Sequence, residues 1–402
     1  MAVFGVWMWP ESVRTEGAQA VVSRCRRIGV TDIFFLTKGL AGTTSHLTSL
    51  APSYCERDLL SELLCAAHES GVRVHAWLTS ASDEHYKKLY PESGRYHLTR
   101  GRDKGLISLT DEGYIAFLQQ IIQDLCRRYP IDGLHLDYIR YNHLLYGWSE
   151  EDCARYAKEG ADVPHLRMLM ERTFLREADN EPDCIFNAFR AGDESAHALA
   201  RTRRKDVVHF ATAMIQATRA ERSNLVLSAA LMPEGAYEDI AFSDLHYGQN
   251  YEDAAALYDF VLPMAYSMAY GKDSAWVRYV AQGAMQRGIK TIAGLHAFEG
   301  GTGSSLASDI AALKDTPVHG MCLFRYGAFA IAAAAVDKLL VYNPLQAAIT
   351  SLRGSKDGEF FTLDTQVLPG EESLICVPFM PDALEAFSGE TAVCIHLAYN
   401  SL

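Results

Sequence analysis

The sequence predicts a (β/α)8 barrel, and three observations support that fold class. Short apolar runs rich in Val, Ile, Phe, Trp and Tyr recur eight times, at residues 3–9, 31–38, 72–79, 133–138, 225–232, 260–266, 290–296 and 320–326. A stretch with helical periodicity follows each run, at residues 15–28, 56–70, 111–129, 205–221, 251–257, 275–287, 304–314 and 328–340. Gly29, Gly71 and Gly288 end three of these stretches just before the next strand, as helix C-caps do. Eight such units are the number that closes a TIM barrel.

The spacing of the units divides the 402 residues into two parts. We expect residues 1–343 to form the barrel, with a long loop insert at about 142–204 after the fourth strand. Such a loop lies on the catalytic face of a barrel, so it is expected to shape a substrate cleft. In the C-terminal extension, residues 344–402, short strands are predicted at 359–363, 373–378 and 392–399.

Composition and charge exclude several classes of partner. The net charge of −13 repels polyanions, and the longest basic cluster is residues 201–205, so we expect no nucleic-acid partner. The N-terminus lacks a basic segment followed by a long apolar one, and no stretch reaches the roughly 18 apolar residues of a membrane span. The sequence predicts a cytoplasmic protein as written, or a periplasmic or secreted one if a signal peptide has been removed. It leaves the oligomeric state open.

The fourth predicted strand contains the strongest local signal, Asp-Gly-Leu-His-Leu-Asp-Tyr-Ile-Arg-Tyr at residues 132–141. Alternation along a strand puts His135 and Asp137 on the same inward face, with Asp137 at the rim where barrel enzymes hold their catalytic groups. A donor such as His135 would keep the carboxylate ionised, able to attack or stabilise an oxocarbenium-like centre. The alternative is a structural salt bridge from Asp137 to Arg140.

Glycoside cleavage needs a second carboxyl group near the first. Glu234 follows the fifth strand at a neighbouring rim position, and partial enclosure there would raise its pKa, as suits a proton donor. An exposed loop glutamate is the alternative interpretation. Glu299, after the seventh strand, and Asp244, in the fifth loop, are the other candidates for this role.

Aromatic and polar side chains cluster at the predicted strand ends, where rings can stack on the apolar faces of sugars and donors can reach their hydroxyls. The sequence therefore predicts a carbohydrate substrate, with binding residues Trp7, Trp9, Lys38, His75, Trp77, His135, Tyr138, Arg140, Tyr141, Tyr266, His296, Glu299, Arg325 and Tyr326. Each could instead be a core or barrel-interior residue.

Motifs for other chemistries are absent from the sequence. It has no HExxH, no HxH on the first strand, no GxSxG, no GxGxxG and no phosphate-binding P-loop after any strand. The nine cysteines form no CxxC pair, which argues against a zinc knuckle or a disulfide framework. We therefore expect no metal and no cofactor.

Several segments together resemble the bacterial glycosyl-hydrolase-like family ten, at residues 3–9, 71–78, 107–110, 129–141, 260–266 and 293–296. The resemblance covers about residues 3–330 and is most specific in the run Asp132 to Tyr141. It implies a TIM barrel distantly related to the alpha-amylase class, in a family associated with bacterial cell-wall or other polysaccharide glycans. In the alpha-amylase pattern an Asp ending the fourth strand is the nucleophile and a Glu ending the fifth is the acid/base, which implies Asp137 and Glu234. His135 replaces the usual Arg of that pattern.

The sequence thus predicts a glycoside hydrolase that cleaves a poly- or oligosaccharide with two carboxylates. A catalytically inactive carbohydrate-binding barrel and an amino-sugar deacetylase or amidase are the alternatives, because a fold alone does not determine function.

Overall fold

The computed structural model describes residues 3–175, 181–297, 304, 306–327, 329–335, 338–343, 347–356, 358–369, 371–379, 381, 383–393 and 396–398. Eight parallel strands close into a barrel in the order β1-β8-β7-β6-β5-β4-β3-β2. They are β1 (Val3–Met8), β2 (Asp32–Lys38), β3 (Arg73–Thr79), β4 (Gly133–Asp137), β5 (Val226–Leu231), β6 (Phe260–Ala265), β7 (Ala293–His296) and β8 (Gly320–Phe324). The predicted (β/α)8 barrel is confirmed, with all eight strands where the apolar runs lie.

Helices lie between these strands, several of them packed on the outside of the barrel and three within the insert after β4. They are α1 (Pro10–Glu16), α2 (Ala18–Arg27), α3 (Leu59–Glu69), α4 (Glu84–Leu89), α5 (Glu112–Arg128), α6 (Glu150–Lys158), α7 (Val163–Phe174), α8 (Cys184–Arg190), α9 (Glu194–Glu221), α10 (Tyr251–Leu257), α11 (Ser267–Tyr270), α12 (Ser274–Gln286) and α13 (Leu306–Leu313). Aspartates cap many of them, because a carboxylate before the first turn accepts a backbone N–H that would otherwise lack a partner. Asp58, Asp111 and Asp273 do so for α3, α5 and α12.

Two helix boundaries differ from the predicted ones. The helix predicted at residues 15–28 is two helices, because Gly17 has φ of 84° and ends α1 before α2 begins. The helix predicted at 205–221 begins at Glu194 instead, where Asp193 caps it. The final part of the predicted insert is therefore continuous with the barrel helix α9.

The insert after β4 has an apolar core of its own, formed by α6, α7, α8 and the first turns of α9 around Trp148, Tyr156 and Leu166. A polar network joins it to the barrel: Arg155 of α6 and the Tyr141 hydroxyl both donate to Asp206 Oδ2 of α9, at 2.8 and 2.6 Å. The insert is thus a packed element beside the carboxyl end of β4.

The C-terminal part contains two four-stranded sheets, ordered β13-β10-β9-β16 and β12-β11-β14-β15. Their strands are β9 (Phe329–Ala335), β10 (Lys338–Tyr342), β11 (Ile349–Lys356), β12 (Glu359–Val367), β13 (Glu372–Cys376), β14 (Ala383–Ser388), β15 (Thr391–Val393) and β16 (His396–Ala398). The prediction of a β-rich appendage is confirmed. The predicted boundary at 343/344 falls within the first of these sheets, between β10 and β13.

The helix predicted at residues 328–340 is wrong. The run is rich in alanine, which favours helix, but β9 pairs antiparallel with β10 and parallel with β16. Helix propensity amounts to tenths of a kcal/mol per residue, so sheet pairing can override it. Among the described residues after Phe324, all regular secondary structure is β-strand.

Barrel closure depends on Gly320, which pairs with Val3 where β8 meets β1. Its φ is 149°, and a Cβ added there would lie 1.9 Å from the Val3 carbonyl oxygen. We expect Gly320→Ala to lower the free energy of unfolding by about 2–4 kcal/mol, measured in urea. Gly39→Ala, whose nearest neighbour would be 3.8 Å away, serves as the control and should change it by less than about 1 kcal/mol. Equal effects of the two variants would contradict this account of closure.

Candidate active site

A cavity of about 340 Å³ opens at the carboxyl ends of the barrel strands, within the size range of small-molecule sites. Aromatic rings dominate its wall, and Asp137 and Arg140 supply its charged groups. The lining residues are Trp7, Trp9, Leu36, Leu40, Trp77, Thr79, Asp137, Tyr138, Arg140, Ala230, Met264, Tyr266 and Phe324. The fold therefore brings together residues from seven of the eight strands and from the loops that follow them.

Asp137 ends β4 and is 5% exposed. Its carboxylate accepts hydrogen bonds from three donors: Trp77 Nε1 at 3.2 Å, Arg140 Nη1 at 3.1 Å and the Tyr138 backbone N–H at 2.6 Å. Asp137 thus forms the ion pair with Arg140 that the sequence suggested as an alternative, and the same carboxylate also faces the cavity. Among the described residues only the Trp77 indole binds Oδ2, and that oxygen can accept a further hydrogen bond.

The backbone after Asp137 has an unusual conformation. Tyr138 has φ of 58°, the only positive φ of a non-glycine residue in the described chain. For a residue with a Cβ this conformation costs roughly 1–2 kcal/mol and is found mostly where function constrains the chain. Arg95 helps to hold the loop, because its buried Nη1 donates to the Arg140 carbonyl oxygen at 3.0 Å and to Asn142 Oδ1 at 3.0 Å. The loop is therefore anchored at Arg140 and at Asn142, just after the charged pair.

His135 lies one layer below Asp137, as predicted, but its ring binds other groups. Its Nε2 accepts from Trp7 Nε1 at 3.1 Å, and its Nδ1 lies 2.9 Å from Ser228 Oγ. Burial lowers the pKa of His135 well below its usual value, so the ring is neutral. The sequence predicted that His135 donates to Asp137, but the Trp77 indole does so instead. His135 orients Trp7.

Glu234 lies in the loop after β5, beside the cavity. Tyr270 donates its hydroxyl to Glu234 Oε1 at 3.3 Å, and Oε2 is buried without a partner among the described residues. Burial raises the pKa of Glu234, although the Tyr270 hydrogen bond and the nearby charge of Arg140 partly oppose that rise. The pKa of Glu234 is thus raised, which is the direction that the sequence predicted. The alternative candidate Asp244 pairs instead with Arg204 at 3.3 Å and accepts from Asn250 at 3.1 Å.

The loop after β6 supplies Tyr266 to the cavity and Tyr270 to Glu234. Its first helical residue, Ser267, donates its hydroxyl to the buried Asp309 of α13, and Ser304 donates to the other oxygen of the same carboxylate. Burial raises the pKa of Asp309 to about 6 despite these two hydrogen bonds. This carboxyl group therefore links the position of the loop to α13.

The raised pKa of Asp309 predicts a pH dependence of stability. Between about pH 4 and pH 6 the unfolded chain ionises this carboxyl group while the folded one retains the proton, so stability falls as pH rises. The loss from this group approaches roughly 3 kcal/mol by pH 7. Relative to wild type, Asp309→Asn should gain stability over this range in urea unfolding at pH 4 and pH 7. The exposed Asp315→Asn is the control, and a difference that does not change with pH would refute the assignment.

The other predicted binding residues do not line the cavity. Arg325 and His296 adjoin the cavity wall: the Arg325 guanidinium lies 3.8 Å from the Trp9 ring centroid, and His296 packs edge-on to Tyr266 at 5.9 Å. Lys38 and His75 are buried with protein partners, Asp83 at 3.1 Å and Asp32 at 2.8 Å. Burial lowers the pKa of Lys38, with the charge of Asp83 acting against that shift.

Two further predicted residues point away from the cavity, and one cannot be placed. Tyr141 turns into the insert, where its hydroxyl binds Asp206. Tyr326 follows β8 on the outer side, where its hydroxyl donates to Glu16 Oε2 at 2.9 Å. Glu299 lies outside the described residues. The structure thus gathers six of the predicted binding residues on the cavity wall: Trp7, Trp9, Trp77, Tyr138, Arg140 and Tyr266.

Sequence reasoning missed several residues of the wall, namely Leu36, Leu40, Thr79, Ala230, Met264 and Phe324. Most lie within or at the end of an apolar strand run, where nothing distinguishes an inward wall residue from core. Strand alternation could have identified Thr79, which ends β3 two residues after Trp77. Leu40, in the loop after β2, carries no such signal.

The described residues also bear on a metal site and on a membrane span. No three His, Cys, Asp or Glu side chains there converge as metal ligands would. No helix of that part of the chain is both long enough and apolar enough to cross a membrane.

Comparison with known proteins identifies similar folds. No protein-family model and no curated protein matches the chain. Among solved structures, the glycoside hydrolase domain of PgaB (BpsB) from Bordetella bronchiseptica is 15% identical, with a TM-score of 0.62 over 81% of this chain and 94% of that one. A beta-galactosidase from Marinomonas ef1 is 13% identical, with a TM-score of 0.57 over 81% of this chain and 54% of that one. Alpha-L-fucosidase isoenzyme 2 from Paenibacillus thiaminolyticus is 15% identical, with a TM-score of 0.53 over 81% and 46%.

This chain therefore spans about half the length of the beta-galactosidase and the fucosidase. At these identities the likeness shows the fold, a (β/α)8 barrel of the kind that glycoside hydrolase domains have.

Proposed function

We propose that the protein is a glycoside hydrolase that cleaves an O-glycosidic bond of a poly- or oligosaccharide. The observation that supports this most directly is Asp137, a carboxylate at the end of β4 within an aromatic cavity. Active sites of these barrels lie at this face, and aromatic walls around a carboxylate suit sugar rings. The glycoside hydrolases among the similar folds add weight to this reading.

In the proposed mechanism Asp137 acts on the anomeric carbon, as nucleophile or as stabiliser of the oxocarbenium-like transition state. Trp77 and Arg140 orient its carboxylate through the N–H groups that they donate. Glu234 protonates the leaving oxygen, since burial favours its protonated form. Trp7, Trp9 and Tyr266 are proposed to pack against the sugar rings.

The finer assignment rests on the sequence resemblance. We propose that the chain is related to the bacterial glycosyl-hydrolase-like family ten, and through it to the alpha-amylase pattern of an Asp after the fourth strand and a Glu after the fifth. On this basis we suggest a bacterial cell-wall glycan or another polysaccharide as substrate.

The test is release of reducing ends from a panel of bacterial and plant glycans, with the Asp137→Asn/Glu234→Gln double variant as the blank. Activity of the wild type on at least one glycan, absent from the double variant, is the expected result. Equal rates for the two proteins would mean that another site is responsible.

A catalytically inactive carbohydrate-binding barrel is the second candidate, and one observation favours it. Arg140 neutralises Asp137, and Glu234 is not among the residues that line the cavity. Binding of glycans by a wild type that cleaves none of the panel would support this alternative.

A further inference from the structure

A second pocket of about 210 Å³ adjoins the cavity above β1 and β2. The two share three wall residues, Trp9, Leu36 and Leu40. The remainder of its wall comes from the start of α1 and the loop after β2: Pro10, Glu11, Gly39, Ala41, Thr43, Ser45 and Tyr54. The candidate active site therefore continues sideways into a groove.

The wall of this second pocket exposes large apolar side chains. Trp9 is 38% exposed, Leu40 44% and Tyr54 39%, and they form a continuous surface between the two pockets. The Arg325 guanidinium lies 3.8 Å from the Trp9 ring centroid, and 38% of Trp9 remains exposed beside it. Contiguous exposed apolar surface that leads out of a cavity is typical of a ligand groove.

Polar groups of this pocket are held in place by neighbours. Glu11 accepts from the Tyr54 hydroxyl at 2.6 Å and from Arg14 Nε at 2.8 Å. The hydrogen bonds from Arg14 and Tyr54 lower the pKa of Glu11 to about 2, so a fixed anionic acceptor stands next to the aromatic rings. A ring platform beside an oriented carboxylate suits a sugar, whose C–H face stacks while its hydroxyls donate.

We propose that the second pocket is a subsite for the third sugar unit of a glycan chain, whose two units on either side of the cleaved bond occupy the Asp137 cavity. The continuity of the two walls at Trp9 and Leu40 supports one ligand across both pockets. The inference rests on the proposed function for the class of ligand, and it specifies a chain longer than a disaccharide. The groove thus selects an oligo- or polysaccharide.

Gly39 offers a way to fill this pocket alone. It lines the second pocket and not the cavity, and an added Cβ would meet only Leu36 Cδ2, at 3.8 Å. Gly39→Phe therefore places a ring in the subsite, and Tyr54→Ala removes one of its walls as an independent variant. Phe360→Ala is the control, since Phe360 is 73% exposed on β12 in the C-terminal part.

The experiment measures Kd by calorimetry in the Asp137→Asn background, so that no ligand is consumed. The ligands are the disaccharide and hexasaccharide of the cello-, chito-, malto- and β-1,4-galacto-oligosaccharide series. In one series or more, the hexasaccharide should bind at least about tenfold more tightly than the disaccharide, which is the scale of one stacked ring. Gly39→Phe and Tyr54→Ala should reduce that ratio below about threefold, while Phe360→Ala keeps it.

If Gly39→Phe still binds the hexasaccharide about tenfold more tightly than the disaccharide, the proposed subsite is wrong. It is also wrong if none of the eight ligands binds. These outcomes are independent of catalysis. If the wild type hydrolyses a glycan but shows no length advantage, the proposed function stands and the subsite fails. If the wild type is inactive yet the length advantage depends on Gly39 and Tyr54, the subsite stands and the hydrolase proposal fails.

Discussion

Asp137→Asn should lower kcat on the glycan that the wild type cleaves by at least roughly a thousandfold. Asparagine has almost the same shape, and its single carbonyl oxygen can still accept from Arg140 and from the Tyr138 backbone N–H, whereas the Trp77 indole loses its acceptor. What is lost is the negative charge, which the proposed mechanism needs as nucleophile or as partner of an oxocarbenium-like carbon. KM should change far less than kcat, because the cavity wall remains.

Removing that charge leaves the guanidinium of Arg140, which is 8% exposed, without its anionic partner. We therefore expect a stability loss of roughly 1–3 kcal/mol. Unfolding in urea must show that the variant is folded at the assay temperature. Asp124→Asn, which disrupts the exposed Asp124–Arg128 ion pair, is the matched control and should retain the wild-type rate within about twofold. A folded Asp137→Asn variant with near-wild-type kcat would place the reacting carboxylate elsewhere.

Glu234→Gln should lower kcat/KM by about a hundred- to a thousandfold on substrates with poor leaving groups. Glutamine cannot donate an acidic proton, yet it can still accept from Tyr270 at Oε1. Substrates whose leaving group departs without protonation, such as nitrophenyl glycosides, should lose much less. A general acid predicts this dependence on the leaving group, whereas damage to the fold predicts a uniform loss.

The pH profile provides an independent test of Glu234. Because burial raises its pKa, the wild type should keep the protonated acid to higher pH than an exposed glutamate would, and activity should fall as pH rises through that pKa. Glu234→Gln should lose this alkaline limb of kcat/KM. An unchanged alkaline limb in the variant would show that another group donates the proton, and Glu299 would be the next to test.

The sequence alone was sufficient to predict the barrel and the end of it at which the cavity opens. Period-two apolar runs separated by amphipathic stretches specify strands and helices locally, and eight repeats leave few other topologies. The residue at a strand's carboxyl end then follows from alternation, which is how Asp137 could be located at the rim, with Trp77 one layer below it on the neighbouring strand. The helix ends at Gly29, Gly71 and Gly288 could also be predicted from the local sequence, because each of these residues has a positive φ that glycine adopts without strain.

The tertiary structure decided which partner each polar group has. His135 and Asp137 share a strand face, yet the indole of Trp77 reaches the carboxylate while the ring of His135 binds Trp7 and Ser228. Lys38 ends a predicted strand, as a residue at the rim does, but the fold buries it against Asp83. Such pairings depend on neighbouring strands that are distant in sequence, and a pattern read along one strand does not contain them.

The same limit applies to the segment after β8 and to the groove above β1 and β2. An alanine-rich run has only weak conformational preferences of its own, so pairing with β10 and β16 determined that it forms a strand. Leu40 and Tyr54 are ordinary loop residues in the sequence, and only the folded chain brings them beside Trp9. The sequence by itself therefore determined the fold and the strand ends that surround the cavity, because both follow from local periodicity. Partner choice and the shape of the groove were decided by the tertiary structure, because they arise from contacts between segments far apart in the chain.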